Sequence, residues 1–317
     1  MPTHVRTARN PAPRRAKAQA SIARPVKAAR AVLVATDGST LASAAIRIAK
    51  LMADQGVWAP QAVTVLEPLP VSVADMTLGP PALVYQQEVT DSLIGAIQQQ
   101  LRRRGGADWK LSVQFGRAAP VISRFARESG LELIVLGLGR HGKLARLVGA
   151  ETAARVARLS DAPVLAVADG ARTLPYTALV AMDFGDSSVS AAREALAMLQ
   201  PPGRLHLLHV RWAANGQTLG DLNWERTYAM GVEHGFQRVM RELGQREGIK
   251  VSTELRIGGV VESILAVAKK IDADVIAAGS HSQTVVDRLV IGSTPGQLLR
   301  AAPCSVLVVP PAPRTAT

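Results

Sequence analysis

Some kinds of protein are ruled out by what this chain lacks. Aromatic side chains make up 3% of its 317 residues, so a core must be assembled from Ala, Val, Leu and Ile. A single cysteine, Cys304, excludes an internal disulfide and a multi-cysteine zinc site, and it fits a reducing compartment. Set in "APCSVLVV", it reads as an inert thiol in a buried strand. No apolar run approaches the ~20 residues that span a bilayer, and the expected location is the cytoplasm. The chain has no G-x-x-x-x-G-K-[ST] loop, no G-x-S-x-G elbow and no G-x-G-x-x-G first turn. Those gaps argue against a Walker-type NTPase, an α/β-hydrolase and a dinucleotide oxidoreductase.

Acidic residues are missing altogether from residues 1–30, which carry Arg6, Arg9, Arg14, Arg15, Lys17, Arg24, Lys27 and Arg30. Those eight positive charges leave only +4 of the net +12 for residues 31–317. Pro11, Pro13 and Pro25 interrupt any amphipathic helix there, and no apolar stretch suggests a secretory leader. The expectation is a disordered basic arm, either solubilising or making weak nucleic-acid contact.

From residue 31 the sequence repeats itself. "AVLVATDGST" (31–40) matches "ALVAMDFGDS" (178–187), "LELIVLG" (131–137) matches "DADVIAAG" (272–279), and "APVLAV" matches "APCSVLVV". Asp37 to Asp183 is an offset of 146, Gly137 to Gly279 is 142, and Gly149 to Gly292 is 143. Offsets that agree to within four residues over that length mean a duplicated domain. The expected layout is domain one over 31–168, a linker over 169–175, domain two over 176–310 and a tail over 311–317.

Apolar runs alternate with amphipathic stretches in both copies. The first gives strands at 31–36, 61–66, 110–115, 132–136 and 163–168, with helices at 40–54, 84–104, 118–129 and 147–158. The second gives strands at 178–182, 204–210, 250–256, 273–278 and 304–309, with helices at 187–199, 224–246, 260–270 and 293–301. Strands apolar on both faces and joined by helices predict two tandem doubly wound α/β domains with parallel sheets. In such sheets ligands bind beyond the carboxyl ends of the strands, where strand order reverses. Asp37, Asp183, Gly137 and Gly279 all fall on that rim.

"GSHSQTVVDRLVIGST" (279–294) has two readings. Gly279 can end a strand while Ser293 or Thr294 starts a helix. Alternatively, glycines and a helix N-terminus can cradle an anion.

On these residues each copy resembles a universal stress protein domain, with the Rossmann-like, adenine nucleotide alpha hydrolase-like fold that family implies. The family's G-x₂-G-x₉-G-S/T pattern is similar to Gly279, Ser282 and Gly292-Ser293, with Ser282 where a glycine is usual. The resemblance implies ATP as ligand, with Mg or Mn as an optional companion. Asp183 would contact the nucleoside, with Ala181 and Met182 on the same edge. The Val210 backbone would meet adenine, and Ala278, Gly279, Ser282, Gly292, Ser293 and Thr294 would hold ribose and phosphates. Asp37, Val65, Gly137 and Gly149 mark the weaker counterpart. Its loop is one residue shorter, and Ala150 replaces the hydroxyl. The resemblance also implies that the last strands, "VLAV" and "SVLVV", pair as an intramolecular pseudo-dimer, with a homodimer as alternative.

His206 and His209, three apart on a strand, should face opposite sides. His141 and His281 sit in matching loops, touching phosphate or merely solvated. No residue identifies itself as a general base. The expected function is therefore a regulatory ATP-binding stress-response protein. A non-nucleotide-binding scaffold of the same fold and a slow ATP hydrolase are the alternatives.

Overall fold

The computed structural model describes residues 29–67, 80–139, 143–211, 222–280 and 293–311. In the first half, strands β1 (Arg30–Ala35), β2 (Trp58–Leu66), β3 (Leu111–Phe115), β4 (Leu133–Leu138) and β5 (Val164–Ala168) alternate with helices α1 (Ala42–Ala53), α2 (Pro80–Arg103), α3 (Ala118–Glu128) and α4 (Lys143–Leu159). The second half repeats this with β6 (Thr177–Met182), β7 (Gly203–Arg211), β8 (Ile249–Ile257), β9 (Val275–Gly279) and β10 (Ser305–Val309). Its helices are α5 (Asp186–Met198), α6 (Leu222–Leu243), α7 (Val260–Lys270) and α8 (Ser293–Ala301). Element bounds fall within four residues of the sequence-based ones. Cys304 is buried one residue before β10.

All ten strands form one sheet, ordered β3-β2-β1-β4-β5-β10-β9-β6-β7-β8. Each half is parallel with order 3-2-1-4-5, so strand order reverses between β1 and β4 and between β6 and β9. The seam is antiparallel: Val306 of β10 lies opposite Ala166 of β5. Ala168 N–H also donates to Ser305 Oγ across it, 3.1 Å. The terminal strands of the two halves therefore cover each other's edges, the pseudo-dimer expected from the resemblance.

Two apolar layers flank the sheet. One packs Val34, Val180 and Val275 under α1 and α5, and the other packs Leu33, Ile134 and Ile276 under α3, α4 and α7.

Two sequence readings change. β2 starts three residues earlier than expected and contains Pro60. Ala62 N–H donates to Lys110 O, so even-numbered residues of β2 face the β3 side, and at Pro60 that side lies beyond the first β2–β3 pair. A proline is tolerated where no ladder bond is lost. Arg30, counted with the basic arm, opens β1 instead. It makes a two-pronged ion pair with Glu194 of α5 (2.9 and 3.1 Å), bonds Glu132 (3.1 Å), and lies 4.4 Å from the Trp58 ring centre. Although burial opposes the charged form, the two carboxylates raise the guanidinium pKa above its ordinary value.

Candidate nucleotide site

The first turn after the first strand is built alike in both halves. Asp37 Oδ1 accepts the Ser39 N–H and Asp183 Oδ1 accepts the Gly185 N–H, each at 2.9 Å. The residue between them is left-handed in both, Gly38 at φ 78° and Phe184 at φ 63°. Phenylalanine rarely holds that conformation. Here its ring is fixed against His209 (5.0 Å) and Phe236 (5.1 Å). A Cβ on Gly235 would come within 2.9 Å of that ring, so this glycine makes room for it.

Register brings Ala181, Ala278 and Gly279 to one rim. Ala181 pairs with Ala278 and Gly279 with Val309, so the ends of β6, β9 and β10 are level. Asp183 follows β6 and is half-buried, whereas Asp37 is exposed. Met182 lies at the edge by position, but its side chain turns into the core at 4% exposure. Arg204 N–H donates to Tyr176 O, and alternation turns the even-numbered peptides of β7 toward β6. Val210 therefore aims its carbonyl past the last β6 residue, Met182. By the same alternation Val65 aims past the end of β1, since Thr36 N–H donates to Val63 O.

The strand-end glycines have a packing reason that sequence reading missed. A Cβ on Gly279 would stand 2.6 Å from Ser187 Cβ, and one on Gly137 would stand 2.4 Å from Leu41 O. In each half the entry to the first helix rests directly on this glycine.

The halves differ at the helix that follows. In the second, α8 begins at Ser293, so the Ser293 and Thr294 N–H groups belong to the first turn and have no partner within the helix. Ser293 is exposed and Thr294 half-buried. In the first, α4 begins at Lys143, four residues before the expected 147. Gly149 and Ala150 lie inside it, where the helix ladder uses their N–H groups. Ser282, Gly292 and His281 of the second loop fall outside the described residues, as do Arg140, His141 and Gly142 of the first. Among the described residues, the first-turn N–H groups of Ser293 and Thr294 are the donors that would meet an anionic group at the second rim.

Beside this rim lies a cluster that the sequence did not reveal. His209 Nδ1–H donates to Met182 O at 2.7 Å, which leaves Nε2 to accept the Tyr228 hydroxyl at 2.8 Å. Tyr228 stacks on Trp224 (5.3 Å), and Arg211 lies 5.2 and 5.4 Å from those two rings while pairing Glu225 at 3.0 Å. Burial lifts the Tyr228 phenol above its ordinary pKa, with Arg211 opposing. Thr64 occupies the equivalent place in the first half. Its hydroxyl is buried and lacks a hydrogen-bond partner, the one such side-chain atom among the described residues. His206 faces the other side, as expected, bonded to Ser252 (2.8 Å) and Glu254 (3.0 Å). No group of three metal-ligating side chains occurs among the described residues. None of the described helices is long and apolar enough to cross a membrane.

A doubly wound fold occurring twice, each time with an acid ending its first strand, defines the class. Comparison narrows it. The universal stress protein family model matches residues 29–168 and 176–310, and the chain belongs to that family. A universal stress protein of Methanocaldococcus jannaschii is 29% identical over 89 residues, covering 27% of this chain and 52% of that protein. The chain spans about half the length of the curated relatives it matches. The crystal structure of a universal stress protein from Archaeoglobus fulgidus superposes with a TM-score of 0.58 at 20% identity, covering 89% of this chain and 96% of that one. A functionally unknown protein from Pseudomonas aeruginosa does so at 0.58 and 18%, covering 90% and 94%. These two likenesses bear on fold alone.

Proposed function

We propose that the chain binds one adenine nucleotide at the rim of its second half and acts in a stress response as a regulator. The reading rests on one contrast above all: α8 starts at Ser293 on the rim, whereas α4 runs past Gly149 and Ala150. First-turn amides and the helix dipole favour phosphate at the former. Asp183 serves the ribose, and the Val210 carbonyl accepts from an exocyclic amine. A regulatory role fits a rim on which no described side chain is poised as a general base.

A scaffold that binds no nucleotide is the second reading, favoured by Ser282 standing where the family pattern has glycine. Equilibrium dialysis against radiolabelled ATP separates the two, and assaying the bound fraction for ADP tests slow hydrolysis. Saturable binding that weakens about tenfold in Asp183→Ala supports the proposal. An absence of retention up to millimolar ATP would leave the scaffold.

A further inference from the structure

The seam between the halves holds a half-open cavity of about 330 Å³. Its walls are Ile48 and Met52 of α1, Val167 of β5, Met198 of α5 and Val275 of β9, roofed by Leu174 of the linker. Each of these is less than 8% exposed, so the cavity is let into a core that is otherwise closely packed. These inner walls are apolar, whereas Arg172, Thr173, Asp274 and Ser305 make other parts of the lining polar, so an occupant with one apolar and one polar end matches both.

The mouth is charged. Arg172 lines it, and Arg47 donates to the carbonyl of Ala171, a second lining residue, at 2.7 Å. Burial first, then the nearby cations Arg104 and Arg172, pull the Arg47 pKa below its ordinary value, with Asp169 only partly opposing. Such a group gains from an added anion. The carboxylate that lines the cavity, Asp274, is held by backbone donors: its Oδ2 accepts the N–H groups of Tyr176 and Thr177, both at 2.9 Å.

From a cavity with an apolar inner wall and Arg172 in its polar lining, we infer that the seam binds a small amphipathic carboxylate, its head at Arg172 and its tail between Met52 and Met198. Size follows from volume. At about 30 Å³ per water-sized group, 330 Å³ holds roughly ten non-hydrogen atoms. Pockets at domain interfaces with apolar walls and a few polar groups are the usual small-molecule sites. Such a ligand would touch α1, α5 and the linker together, and so would stiffen the junction of the two halves.

The test is calorimetry on the full chain with octanoate, which has ten non-hydrogen atoms, and with octanol as its uncharged counterpart. One octanoate per chain is expected, with a Kd of about 0.1–1 mM for a ligand of that size, and octanol at least tenfold weaker. Arg172→Ala, in the exposed part of the linker, should weaken octanoate about tenfold and leave octanol unchanged. Met198→Trp should block both, with circular dichroism checking that it folds. Absence of octanoate binding at 10 mM would overturn the inference. Equal affinity for octanol, or indifference to Arg172→Ala, would overturn the carboxylate assignment, and Arg172→Ala decides it even if Met198→Trp does not fold.

Discussion

Single residues carry more of this fold than their chemistry suggests. Gly279 and Gly137 are legible in the sequence as strand-end glycines, but the reason for them is not, because it comes from a helix entry resting on the strand. Gly279→Ala should force its Cβ against Ser187 and destabilise the chain by about 1–3 kcal/mol. A thermal midpoint equal to wild type would show that α5 moves away freely. Thr64 makes the opposite case. Its hydroxyl is buried without a partner, so Thr64→Val should remove a desolvated polar group at nearly constant shape. It is expected to raise stability by about 1 kcal/mol in urea unfolding; a loss would mean that the hydroxyl has work to do. The contacts of His209, its counterpart, are not legible in the sequence, because its partners Met182 and Tyr228 lie 27 and 19 residues away. Only the β6–β7 register and the return of α6 bring them together.

At the scale of elements, apolar runs and their spacing predicted every described strand and helix, and the departures come from local punctuation. Pro60 hid the start of β2 although its missing N–H falls where no partner strand has begun. "GRHGK" looked like loop, yet α4 already runs from Lys143, and the proposed difference between the two halves rests on that early start. The other departure is Arg30, which composition assigned to the basic arm and which geometry ties to both halves through Glu132 and Glu194. Arg30→Ala leaves Glu194 half-buried without its fork and should cost about 1–3 kcal/mol. By contrast, removing residues 1–28 while keeping Arg30 should leave the melting temperature unchanged and lower any salt-dependent adsorption to nucleic acid. A large fall in melting temperature on that truncation would give the segment a structural role.

At the scale of the molecule, duplication was visible in the closely agreeing offsets, whereas the joining of ten strands into one sheet was expected only from family resemblance. A buried strand such as β10 gives no sign in its own sequence of which neighbour covers it. A fragment of residues 172–317 lacks β5 and would leave the β10 edge bare, so it should dimerise with rising concentration in sedimentation analysis. A fragment that stays monomeric at hundreds of micromolar would contradict the part assigned to that edge. The two rims also diverge, one with Ser293 at a helix start and the other with Gly149 and Ala150 inside a helix. Calorimetric titration of the full chain with ATP tests that asymmetry most directly. The account predicts about one site per chain, abolished by Gly292→Val and retained in Gly149→Ala; two equal sites, or binding lost only in Gly149→Ala, would contradict it.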